Sequence, residues 1–189
     1  MALTPMVLTA RLMKKDHPKA KIVFVGPCAA KKLEASRRSV RSDVDFVLTF
    51  EELQGMFDAK DINFATLEPD ECDTDFDKGT GAGRGFAVVG GVAAAVAEAI
   101  AKIDPSRHVD IEYGDGLREC RKMLTMAKAG KRNGYLLEGM ACPGGCVAGA
   151  GTITPVLNAT SNVRNYKSRA DKQSALESQF ADRLKEVEE

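Results

Sequence analysis

Histidine is nearly absent from this sequence, occurring only at His17 and His108, which leaves little material for a histidine-rich metal site. Net charge is missing as well. Lys plus Arg equals 27 and Asp plus Glu equals 27, so the basic excess usual in nucleic-acid binders does not occur. No apolar run approaches the roughly 20 residues that span a bilayer. The N-terminal Met1-Ala2-Leu3-Thr4-Pro5 lacks a charged stretch followed by an apolar one, so neither a membrane span nor a signal peptide is expected. The cysteine count is five, an odd number in a chain without a secretion signal. That argues against a disulfide scaffold and for reduced thiols with chemical work to do in the cytoplasm. With 189 residues, 44% of them hydrophobic, the chain is long enough for one domain with its own core, and a single domain over 1–189 is expected.

Helical and strand patterns alternate along it. Thr4-Pro5 predicts a helix start, with Met6, Ala10 and Met13 on one face. The apolar run from Ile22 to Val25 predicts a short strand buried on both faces, broken by Gly26-Pro27 and followed by a helix from Ala29 to Arg38. Asp45 to Leu48 predicts a second strand. Thr49 and Glu52 then form the sequence signature of a capping box. Residues 66 to 85, acidic and then glycine-rich, read as a long loop before an alanine-rich helix carrying Val92, Val96, Ile100 and Ile103. Further strands are expected from His108 to Tyr113 and from Tyr135 to Leu137, with a helix from Leu117 to Ala129 between them. Tyr166, Ala170, Leu176, Phe180 and Leu184 predict a last helix. This alternation predicts an α/β fold, a small parallel or mixed β-sheet flanked by helices on both faces. In such folds ligands sit beyond the C-terminal ends of strands, where Cys28 and Cys142 both fall.

The strongest local signal is Cys142-Pro143-Gly144-Gly145-Cys146. Two thiols four residues apart lie on a slim backbone that bends freely and can approach a bulky group. Iron-sulfur clusters need cysteine thiolates and such room. Two small buried cysteines beside a glycine turn is the plainer alternative, and zinc a weaker one, since structural zinc sites pair their cysteines more closely. Cys28 follows a strand and opens a helix, a place that favours thiolate, although taken alone a packing role suits it equally. Cys120 lies mid-helix and reads as packing. Cys72 sits in an acidic loop that disfavours thiolate. Asp73-Thr74-Asp75-Phe76-Asp77 has some calcium-loop character but carries Lys78 in place of the turn glycine, and reads as a solvated loop.

Gly26-Pro27-Cys28-Ala29-Ala30-Lys31-Lys32-Leu33-Glu34 resembles the second cysteine motif of the iron-only hydrogenase family, and the stretch from Glu138 to Gly149 resembles the third. Between them, the stretch from Asp45 to Leu53 and the glycines of residues 81–92 resemble the family's intervening segments in the same order. The resemblance implies an H-cluster in the parent protein, a 4Fe-4S cubane joined through cysteine to a diiron unit. Cys28 and Cys142 would be cubane ligands, and Cys146 the bridge. Lys31 would face an anionic ligand of the diiron unit, and Met140 would pack beside the cluster. The implied activity is reversible proton reduction and hydrogen oxidation, with a ferredoxin-like electron carrier or upstream iron-sulfur domains as partners.

Departures from the pattern shape the expectation. The family's first motif, which supplies another cubane ligand, is not in this sequence, so the chain reads as a partial H-cluster domain that alone is inactive and holds no metal. Gly26 stands where catalytic members often carry Met, and Ala150 and Thr152 interrupt a Gly-Gly-Gly-Gln-Pro ending. A hydrogen or redox sensor, and a non-catalytic relative binding only conventional 4Fe-4S clusters, are the alternative readings.

Overall fold

The computed structural model describes residues 3–68 and 78–186. The sequence features at Cys72 and at Asp73 to Asp77 lie outside the described residues. The chain divides into two compact units, residues 3–68 with 149–153 and 182–186 in the first, and residues 78–148 with 154–181 in the second.

The first unit opens with α1 (Pro5–Asp16), entered through Thr4 and with proline in its first turn. The Thr4 hydroxyl does not cap this helix but donates to the Glu34 carboxylate. β1 (Val23–Val25), α2 (Ala30–Ser36) and β2 (Phe46–Leu48) form one crossover unit, with β1 and β2 parallel and Phe24 opposite Val47. α3 (Phe50–Asp58) follows, and its capping box is complete: Glu52 N–H donates to the Thr49 hydroxyl and Thr49 N–H to the Glu52 carboxylate. Met6, Val7, Ala10, Ile22, Val40 and Val44 make the core, with Phe24 and Val47 packed against it.

That core covers one face of the strand pair. Val23, Val25 and Phe46 remain 46%, 37% and 60% exposed, so the expectation of a strand buried on both faces fails here. The cause is the period of two along a strand: with a single covering layer, alternate residues must face outward.

The second unit holds α4 (Gly81–Arg84), α5 (Gly91–Ile103), β3 (Ile111–Asp115), α6 (Leu117–Lys128), β4 (Leu136–Met140) and α7 (Val156–Ser168). β3 and β4 are parallel, in register from Ile111 opposite Leu136 to Asp115 opposite Met140. Both strands run two to three residues further than their apolar stretches suggest, because Gly114 and Gly139 let α6 pack onto them. A Cβ on Gly114 would lie 2.7 Å from the Cys120 main chain, and one on Gly139 3.2 Å from the Cys120 sulfur. Cys120 is thus a packing residue, its thiol donating to the Gly114 carbonyl at 3.3 Å.

The architecture is α/β, with small parallel sheets flanked by helices, as the alternation predicts. Two local expectations are corrected. The reading of 66–85 as one loop misses α4, whose Thr80 cap accepts from Gly83 N–H. The last helix is not centred on 166–184. It begins after Pro155 and stops at Ser168, and the chain restarts in a turn where the Glu177 carboxylate accepts from Gln173 and Ser174 N–H. The largely polar, solvent-facing residues of α7 give no helical stripe to read.

Candidate functional site

In the second unit, β4 ends at Met140 and releases the chain into the loop 142–146. The loop is built from main chain. Gly144 and Gly145 take φ values of 95° and 98°, a left-handed region that favours glycine. A Cβ on Gly145 would lie 2.6 Å from the Val89 nitrogen and 2.7 Å from the Ala87 oxygen, so the loop is seated directly on segment 87–89. The Gly144 carbonyl accepts from Val89 N–H at 3.1 Å, and Gly144 N–H donates to the Asp115 carboxylate at 2.6 Å. Gly145 N–H closes the turn on the Cys142 carbonyl at 2.9 Å. Cys142 and Cys146 are both half-buried, one at each end of this clamp, and Cys146 opens a short 3-10 turn, Cys146–Ala148.

Such a loop offers two thiols, and the residues between them put no bulky side chain beyond Pro143 in front of a ligand. This fits a large group bound through thiolates better than a small ion enclosed on all sides. Met140 is half-buried, and its carbonyl accepts from Gly116 N–H at 2.8 Å, which ties the strand end to the start of α6.

Glu138 and Asp115 gain roles that spacing alone did not reveal. Glu138 is 8% exposed, and its two oxygens accept from Gly90 N–H at 2.7 Å and Ala93 N–H at 2.6 Å. α5 begins at Gly90-Gly91 with no side chain of its own to cap it, so its first amides need an outside acceptor, and the buried acid on β4 is that acceptor. A double glycine heading an apolar helix was the available sequence signal.

In the first unit, Cys28 is half-buried and lies two residues before α2; its carbonyl accepts from Lys31 N–H at 3.2 Å. The turn leading to it is pinned on both sides. Gly26 N–H donates to the Leu48 carbonyl at 3.0 Å, and the Pro27 carbonyl accepts from Gly151 N–H at 3.0 Å. Gly151 fits only as glycine, because a Cβ there would lie 2.3 Å from that of Thr49. Gly26 is opposed by the Phe24 ring, 2.9 Å from where its Cβ would stand. Lys31 is three-quarters buried and donates to the Glu34 carboxylate at 2.6 Å. Burial pushes the Glu34 carboxyl up, but hydrogen bonds from Lys31 and Thr4, with the nearby Lys31 and Arg37 charges, outweigh it and hold the group below its ordinary value.

The structure thus places Cys142, Cys146 and Met140 on one strand end and its loop, and Cys28 and Lys31 on the turn and helix after β1. Among the described residues, no three His, Cys, Asp or Glu side chains are grouped to hold a single metal ion. None of the described helices is long and apolar enough to cross a membrane.

Residues 1–150 match the family profile of the iron only hydrogenase large subunit, C-terminal domain. The chain is 30% identical over 172 residues to a periplasmic Fe hydrogenase large subunit of Nitratidesulfovibrio vulgaris, a match covering 75% of this chain and 41% of that protein. It is 29% identical over 170 residues to a probable cytosolic Fe-S cluster assembly factor of Aedes aegypti, covering 70% of this chain and 36% of that one. The chain therefore spans well under half the length of these relatives. Among solved structures, it resembles an FeFe-hydrogenase described for stepwise H-cluster assembly, with a TM-score of 0.66 at 20% identity, over 96% of this chain and 63% of that one. It also resembles an FeFe-hydrogenase from Chlamydomonas reinhardtii, with a TM-score of 0.64 at 19% identity, over 97% of this chain and 64% of that one. The fold is shared with these enzymes, and by the match over residues 1–150 the chain belongs to the iron-only hydrogenase large subunit family, as part of its C-terminal domain.

Proposed function

We propose that this chain supplies part of the protein shell of an H-cluster, with Cys28, Cys142 and Cys146 as thiolate ligands and Cys146 as the bridge between the cubane and the diiron unit. The observation that carries the reading is the loop 142–146, two thiols at the ends of a glycine turn that is fixed on segment 87–89 and carries no side chain larger than Pro143 between them. When bound, the H-cluster supplies reversible proton reduction and hydrogen oxidation. The chain's own residues do the positioning. Asp115 and Val89 fix the loop through Gly144. Glu138 holds the start of α5, which carries on from segment 87–89. Lys31 offers a cation for an anionic ligand, with Glu34 keeping it oriented until then. Met140 adds an apolar neighbour. Electrons would come from a ferredoxin-like carrier or from further iron-sulfur domains of the whole protein, in the cytoplasm.

A second reading is favoured by the similarity to the Aedes aegypti assembly factor: a cubane-only protein without the diiron unit. One experiment separates the two. The chain, extended with the family's first cysteine motif and coexpressed with the hydrogenase maturation enzymes, is purified without oxygen, and its infrared spectrum is recorded in the CO and cyanide stretching region. Bands there, lost on Cys146→Ala, are expected. Iron and sulfide in cubane proportion without those bands would replace the H-cluster reading with the second one. Absence of both would refute the two readings together.

A further inference from the structure

The second unit contains a cleft of about 340 Å³ that none of the proposed cysteine ligands lines, although it shares Val89 and Gly90 with the seat of the loop 142–146. That volume lies within the small-molecule range of roughly 300–1,000 Å³. Its chemistry is uneven. Arg164 and Lys167 stand in it three residues apart on α7, hence on one face of that helix. Among the described residues neither meets a carboxylate. Gly85, Gly90 and Gly91 also line it and contribute no side chains. The Lys167 stem lies over Gly85, its Cδ 3.2 Å from where a Cβ would be. The Tyr113 ring borders Gly90, 3.9 Å from the corresponding point, and the residue is 56% exposed.

Glu138 also reaches Gly90, but both its oxygens are taken by the Gly90 and Ala93 amides. Its charge is directed at the start of α5, so among the described residues no carboxylate faces the two cations. A phosphate monoester carries close to two negative charges at neutral pH and three acceptor oxygens, which suits an Arg and a Lys on adjacent turns better than a carboxylate does. The exposed tyrosine and the aliphatic Val163, which both line the cleft, suit a flat, apolar body.

We propose that this cleft binds a small organic phosphate carrying a flat ring, with Arg164 and Lys167 on the phosphate and Tyr113 against the ring. Neither the proposal nor its test needs an iron-sulfur cluster to be bound. The 189-residue chain is titrated by calorimetry with adenosine monophosphate as probe, and with adenosine and inorganic phosphate as controls. Adenosine monophosphate should bind at least tenfold more tightly than either control. Arg164→Gln and Lys167→Gln should each weaken it about tenfold, Arg164→Lys should restore part of the loss, and circular dichroism should show every variant folded. Tyr113→Ala should bring adenosine monophosphate down to the level of inorganic phosphate. Affinity equal to that for adenosine, affinity unchanged in the Arg164→Gln, Lys167→Gln double variant, or no binding at all would overturn the proposal.

Discussion

The two cysteine-bearing turns are built on different principles. The loop 142–146 is clamped through main chain, by two glycines in left-handed conformations, a seat on segment 87–89 and a carboxylate on the Gly144 amide. The turn before Cys28 also uses main-chain bonds, to Leu48 and Gly151, but the helix that follows it is tied back by charge, with Lys31 and Thr4 both donating to Glu34. A steric clamp is intolerant of substitution, whereas a charge tie loosens when its carboxyl takes up a proton. The loop 142–146 should therefore respond most to substitution at its glycines, and the Glu34 tie to acid.

The sharpest way to break this contrast is Gly145→Ala. The φ of 98° and the 2.6 Å approach to Val89 combine backbone strain with a clash that main chain cannot relieve. A loss of roughly 3–5 kcal/mol in the second unit is expected, read by urea unfolding. If the variant unfolds like the parent, the loop is not clamped. Next in size is Glu138→Ala, which leaves the first amides of α5 without their acceptor. A loss of about 2–3 kcal/mol is expected, with faster hydrogen exchange at Gly90 and Ala93 and little change in α2.

The smallest effect belongs to the first turn. The Glu34 carboxyl is held below its ordinary value of 4.5, so its contribution is present above that pH and fades as pH falls through the lowered value. Acidification should therefore loosen α2, read by faster hydrogen exchange there. In Lys31→Ala the Glu34 titration, followed by NMR, should move up, and a titration that stays in place would mean that Lys31 does not hold the Glu34 carboxyl down.

Much of this was legible in the sequence. The capping box at Thr49 and Glu52 follows from chemistry that sits within three residues of its effect, and the two crossover units follow from the alternation of short apolar runs with helical spacing. What escaped was set by distant partners. Asp115 serves an amide 29 positions away, and Glu138 caps a helix 45 positions before it. α7 buries too little to leave a stripe, and the outward face of β1 reads as apolar although it faces outward. The family resemblance came from cysteine and glycine spacing, where covalent reach and backbone freedom constrain the sequence most tightly.

Gly26 illustrates how such constraints play out over evolutionary time. Gly145 and Gly151 face main chain or a Cβ, neither of which can give way, so their positions have no substitution path. Gly26 faces only a ring, that of Phe24. A larger residue can enter position 26 once position 24 yields, and a bulky 24 can persist only while 26 stays small. The two sites should drift as a linked pair, so that a lineage with a long side chain before the Pro-Cys step should carry something slimmer than phenylalanine two residues earlier.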